Sequence, residues 1–315
     1  MEILVNDEKL DFTLEKERTL GEVIIAVEAW LSKSNLVIAS LQLVHKGAEE
    51  EIDLTDDIEG NWPSTPLEDI ERLVIKARLL QELQLTNIET VMIYLDMLKS
   101  AIEKRDISTL DDLLPGQENT FKSLKIIFPS SLKPESLHEA SDLESLLAGA
   151  DAKTILEWPD GVTKKALNIL ESLVEMLSVR RDELTNPFDV LATSIAELEH
   201  TSEELKEASV LLQTGQEQKA MATIVRFADI SQRILRIISG LDESSQISLI
   251  GIQIKGDSAS SFFSDFNRIL RELLGAFDAK DMVLIGDLLE YEVTPRLELL
   301  LGFLREVQRN QSETP

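Results

Sequence analysis

There is no cysteine anywhere in this chain, and only three histidines. The first absence removes disulfides, thiolate zinc sites and cysteine nucleophiles together, and it fits a reducing compartment. Aromatic residues make up 5% of the sequence against a hydrophobic fraction of 43%, so aliphatic side chains supply most of the apolar surface, which suits packed helices better than a sandwich or barrel. No run of about 18 apolar residues occurs, as a membrane-spanning helix would need. The opening residues, MEILVNDEKLDF, lack the basic stretch and apolar core of a signal peptide. A cytoplasmic protein is the expectation. Positive charge is scarce: 31 Lys and Arg face 58 Asp and Glu, for a net charge of −27. Such a field repels nucleic acid and anionic membranes. The expected partner is a basic or neutral protein, with self-association into a homo-oligomer left open.

What is present is an ordinary globular composition, 28% charged, in a chain of 315 residues, enough for two or three domains. Residues 1–78 differ from the rest. Ile3 and Val5, then Leu10, Phe12 and Leu14, alternate on either side of Asn6-Asp7-Glu8-Lys9, which predicts a β-hairpin. Thr19 opens a helix over 20–33 with Glu22 completing a capping box, and Leu20, Val23, Ile24, Val27, Trp30 and Leu31 share one face. Leu36–His45 reads as a strand, Glu49–Glu59 as an acidic loop and Glu71–Lys76 as a last strand. This order, with the MEILVN…LDFTLEKERTLGEV pattern, resembles the ubiquitin-like β-grasp fold. Conjugating and carrier members of that group end in Gly-Gly. Here the last strand runs on as Lys76-Ala77-Arg78-Leu79-Leu80 into a helix, so the resemblance implies an interaction module.

From residue 79 onward the period is helical. Two domains are expected, 79–185 and 186–309, followed by a disordered tail over 310–315. The fold class is therefore α+β: a small N-terminal ubiquitin-like β-grasp domain followed by a large all-α body of antiparallel helical hairpins. Helices are expected over 81–103, 136–148, 162–181 and 216–239, the last stopped by Gly240, with Asn186 as N-cap and Pro187 as first residue of another. Pro295 should kink or restart the final helix. Two stretches echo each other, LKSAIEKRDISTLDDLL at 98–114 and LLGAFDAKDMVLIGDLL at 273–289. Each reads as the bend of a helical hairpin, with Asp106 or Asp281 capping the second helix. Duplication and convergence on one short helix–helix turn both account for the match.

Few residues point to chemistry. Two Glu-x-x-His pairs, Glu135–His138 and Glu197–His200, have the spacing of di-iron bundle ligands. At about 100° per residue, however, Glu197 and His200 fall opposite Leu191, Ile195 and Leu198, on the solvent side. No metal site is expected. Gly240, Gly251 and Gly256 do not form a phosphate loop, and no G-x-S-x-G elbow occurs, so no catalytic residue and no cofactor are assigned. Six residues stand out as candidate partner contacts. Arg226 and Arg233 flank the apolar stripe of Ala220, Ile224, Phe227, Ile234 and Ile238, either greeting an acidic peptide or paired within the protein. Glu292 lies on the apolar arc of the last helix, with Arg296 one turn on, as an internal ion pair or a polar contact for a partner. Ile250, Ile252 and Ile254 belong to ISLIGIQI at 247–254, a lone extended segment or a poor helix with more apolar surface than one helix face can bury.

The expected function is a non-catalytic protein–protein interaction protein: a scaffold, adaptor or assembly factor. The run AKDMVLIGDLLEYEVTPRLE resembles segments of uncharacterised bacterial helical proteins, some of them associated with motility loci, which implies a bacterial, motility-associated role. The alternatives are a chaperone or regulator that binds a partner's amphipathic helix, and an enzyme with a site of Asp and Glu alone. An isolated fragment of residues 1–78 is expected to give a mixed α/β circular dichroism spectrum. A helix-only or random-coil spectrum would contradict an independent N-terminal domain.

Overall fold

The computed structural model describes residues 1–10, 17–45, 48–52, 62–128, 137–244 and 246–312. The fold is α+β, with two compact units, Met1–Asn87 and Ile88–Pro315. The expected domains at 79–185 and 186–309 are thus largely one unit, built around two core clusters.

In the N-terminal unit, strands β1 (Glu2–Val5), β2 (Glu8–Lys9), β3 (Leu36–His45), β4 (Ala48–Ile52) and β5 (Arg72–Leu79) form a mixed sheet ordered β2-β1-β5-β3-β4. The β1 and β5 strands run parallel at its centre; the other neighbours are antiparallel. The first turn is tighter than the sequence suggests. Asn6 and Asp7 alone make it, both left-handed (φ 51° and 68°), as a type I′ hairpin demands. Positions 11–14 of the expected second strand lie outside the described residues. Helix α1 (Leu20–Leu31) has the expected capping box, and it buries Leu20, Val23, Ile24, Val27 and Leu31 but leaves Trp30 exposed. Part of the expected acidic loop is strand β4, whose Glu49–Glu51 pair with Gln42–Val44. Charge at a sheet edge is tolerated because the edge faces water, and it blocks further strand pairing.

Strand β5 passes at Leu79 directly into α2 (Leu80–Lys104). Then follow α3 (Ile107–Leu113), α4 (Gln117–Ile127), α5 (Leu137–Leu147), α6 (Ala152–Leu156), α7 (Asp160–Thr185), α8 (Pro187–Gln213) and α9 (Glu217–Glu243). A two-residue ribbon, β6 (Gln253–Ile254) with β7 (Asp257–Ser258), precedes α10 (Ala259–Asp278), α11 (Met282–Asp287) and α12 (Thr294–Ser312). The body is therefore helical with one small ribbon, and among the described residues no helix is long and apolar enough to cross a membrane. Helix α12 runs on to Ser312, through part of the expected tail. Asn186 precedes Pro187 but makes no capping hydrogen bond to α8, and α9 runs through Gly240 to Glu243. Burial of Leu241 outweighs the roughly 1 kcal/mol that a helical glycine costs.

The two echoing stretches fold alike. Arg105 and Lys280 are left-handed (φ 56° and 54°). The N–H of Asp106 donates to Ala101 O at 2.9 Å and that of Arg105 to Ile102 O at 3.3 Å; Asp281 and Lys280 repeat this to Ala276 O (3.0 Å) and Phe277 O (2.9 Å). Both are Schellman ends. Each Asp then caps the next helix, accepting from Thr109 N–H at 3.2 Å or Leu284 N–H at 3.0 Å. Leu98 and Leu273, Ala101 and Ala276, and Leu110 and Ile285 are buried at matching places. The copies part at Leu114 and Leu289. The first turns through a 3-10 segment at Pro115, and the second through a π segment, Leu288–Val293, just before Pro295. Proline offers no N–H to the carbonyl four residues earlier, and the wider i→i+5 bonding of a π turn suits a helix at such a place.

Two apolar cores fill the helical unit, one drawn from residues between Ile88 and Leu177, the other between Leu191 and Leu304. Between their helices lies a buried ionic triad. Glu183 on α7, with a fully buried side chain, accepts from Arg180 Nη1 at 2.7 Å. Arg236 on α9 grips the same carboxylate through Nε (3.0 Å) and Nη2 (2.6 Å), and its guanidinium lies 5.7 Å from the ring centre of Phe128, at the end of α4. Truncating Glu183 leaves two guanidinium groups without their anion. Glu183→Ala should cost about 3–5 kcal/mol in urea unfolding. Adding Arg180→Met and Arg236→Met should recover most of that loss. A single-variant cost below about 1 kcal/mol would mean that the triad is hydrated.

Candidate functional site

Helices α8 and α9 pack as an antiparallel pair. The inner face of α9 carries the expected stripe: Ala220, Ile224, Phe227, Ile234 and Ile238 are all buried. A second stripe, Met221, Val225, Asp229 and Arg233, recurs every four residues and faces outward into an open groove of about 750 Å³. Ala222, Arg226 and Ile230 lie beside it; Glu197, His200 and Thr201 line the α8 wall, and Phe277 closes the α10 end. The groove thus ends at the second bend, where Phe277 stands in the place of the buried Ile102 of the first.

The groove brings together two of the candidate residues, Arg226 and Arg233. Both are paired within the protein. Arg226 bonds Glu204, and Arg233 Nη1 donates to Glu197 at 3.1 Å. The imidazole of His200, 76% exposed, lies 3.5 Å from Glu204. Glu197 is therefore bonded to a cation, Arg233. Glu135 and the His138 side chain lie outside the described residues. Among the described residues, no group of three or more His, Asp or Glu is placed to hold a metal ion.

The remaining candidates lie elsewhere. Arg296 donates to Glu292 at 2.7 Å and also bonds Asp265 at 2.9 Å, so Glu292 belongs to an internal, half-exposed network. The ISLIGIQI segment is neither one strand nor a helix. Leu249–Ile252 forms a turn, with Ile252 N–H donating to Leu249 O at 3.2 Å and Gly251 at φ 82°, and the ribbon follows. Ile254 is 7% exposed and belongs to the core, which corrects its reading as a partner contact. Ile252 packs half-buried on the same core, and Ile250 alone projects, 91% exposed, from the turn.

Asp229 was missed in the sequence. It is half-buried, and among the described residues no hydrogen bond or ion pair to its carboxylate is seen; the nearest cations acting on it, Arg236 and Arg233, are bonded to Glu183 and Glu197. Burial raises its carboxyl pKa above the ordinary value, against the opposing pull of Arg236 and Arg233. The signal was its place in the 221-225-229-233 register, a carboxylate continuing an apolar stripe. A half-buried carboxylate is less well solvated than one in water, which disfavours its charged form.

Two family matches frame this geometry. Residues 189–302, which include the whole groove, match a family described as a domain of unknown function, DUF8042. Residues 1–78 match the TP0873 N-terminal domain. No curated protein and no solved structure matches the chain.

The Asp229 carboxyl binds its proton more tightly folded than unfolded, so its effect on stability has a definite sign. Its cost is present above the folded pKa and vanishes below the unfolded one, about 3.9. Asp229→Asn should therefore raise the thermal midpoint at pH 7, and the gain should fade as pH falls toward 4. A destabilised variant at pH 7 would mean that the carboxylate is satisfied.

Proposed function

We propose that the chain is a non-catalytic interaction protein of the bacterial cytoplasm, a ubiquitin-like β-grasp domain joined to a helical body that docks a helical segment of a protein partner. The observation that carries this reading is the α8–α9 groove: an open, largely apolar channel with a half-buried carboxylate, Asp229, on its floor. The groove favours a helix-binding chaperone or regulator over a passive scaffold, because helix-in-groove recognition needs such a channel. The ubiquitin-like reading is supported by the sheet order, with parallel β1 and β5 at the centre and α1 packed against one face. The absence of cysteine, phosphate loops and nucleophile elbows from the sequence supports a role without catalysis. A motility-associated role rests on the resemblance of the last hairpin alone.

Affinity capture from native cells with intact protein and a folded Val225→Asp variant tests this reading. A partner retained by the intact protein should be lost, or bound at least about tenfold more weakly, by the variant. Equal retention moves the interface off the groove, and turnover of a metabolite by the purified protein overturns the non-catalytic role.

A further inference from the structure

The stripe that floors the groove does not end there. Arg236 lies seven residues beyond Asp229 on α9, and at about 100° per residue the two are within roughly 20° of each other around the helix. At Arg236 this stripe is covered by another helix, α7, whose Glu183 supplies the matching charge. Two turns earlier, at Asp229, no α7 residue lines the groove. The groove is therefore the uncovered continuation of a helix-packing surface, and its apolar floor has the i, i+4 spacing that receives a helix.

The charges of the lining decide what kind of helix fits. Arg233 is bonded to Glu197, Arg226 to Glu204, and His200 also lies beside Glu204. Among the described residues the one lining charge without a bonded partner of its own is the negative one, Asp229, whose neighbours Arg233 and Arg236 are bonded to Glu197 and Glu183, in a chain whose net charge is −27. Resting on the helix-docking reading above, we infer that the occupant is a cationic amphipathic helix that lays apolar side chains on Met221, Val225 and Phe277 and sets a Lys or Arg against Asp229. The pairing mirrors the triad: at Arg236 the covering helix brings an anion, and at Asp229 it brings a cation. An acidic helix would leave Asp229 buried beside a second negative charge, which is costly in a partly desolvated site.

Two synthetic helical peptides serve as probes, one of Leu and Lys and one of Leu and Glu, of equal length and pattern. Binding is measured by calorimetry to the full chain at about 0.15 M salt, where the screening length is about 8 Å and the distant field of the chain contributes little. The Leu–Lys peptide should bind the intact protein. Asp229→Asn should weaken it at least tenfold, whereas Glu89→Gln, an exposed acid on α2, should leave it unchanged. The Leu–Glu peptide should not bind. Equal losses from Asp229→Asn and Glu89→Gln would overturn the proposal, because attraction would then come from the overall charge. So would equal binding of both peptides; if Val225→Asp abolishes both, helix docking stands and only the cationic occupant falls. Leu–Lys binding that Val225→Asp leaves unchanged would overturn the groove itself as the docking site.

Discussion

The helical unit turns on one carboxylate. Glu183 has no access to solvent and is held by two arginines, one from its own helix and one from α9. Burying an ion of this kind is unfavourable unless its hydrogen bonds are made, so the triad tolerates little change in the position of α7 against α9. Arg236 also lies against Phe128, which brings the end of α4 to the same point. One buried charge thus relates the two apolar cores. It also fixes the rotation of α9, and with it the stripe that carries Asp229 into the groove.

The two bends show how much local sequence decides. A left-handed Lys or Arg, an Asp cap and buried Leu and Ala at fixed offsets give the same hydrogen bonds twice. These interactions span a few residues, so the sequence displays them in full. The copies then differ at their surfaces. Ile107, Ser108 and Thr109 of the first correspond to Met282, Val283 and Leu284 of the second, of which Val283 and Leu284 are exposed. The bend does not need apolar residues there, and their presence beside the groove-closing end of α10 adds apolar surface to that end of the body.

Much of the fold was legible for the same reason. The capping box at Thr19, strand β3 and the buried faces of α1 and α2 follow from periodicity and capping chemistry. Errors arose where tertiary contacts outweigh local preference. Gly240 reads as a stop, yet the buried Leu241 carries the helix past it. Glu49–Glu51 read as loop, yet an edge strand accepts them. Ile254 reads as surface because its two-residue strand shows no periodicity, yet the strand packs on the following helix α10 and Ile254 joins the core there. At the site, Arg226 and Arg233 could be placed from helical phase. Asp229 and Arg236 could not, because their meaning depends on which stretch of α9 another helix covers.

In the docking proposal Asp229, a half-buried carboxylate on the floor of the open α8–α9 groove, is held for a partner's cation. Its titration, followed by carboxyl carbon-13 NMR of the full-length protein with Asp229→Asn to assign the resonance, tests that claim most directly. The midpoint should lie above the ordinary aspartate value in the protein alone and fall when the Leu–Lys peptide binds. An ordinary midpoint that the peptide leaves unmoved would contradict it.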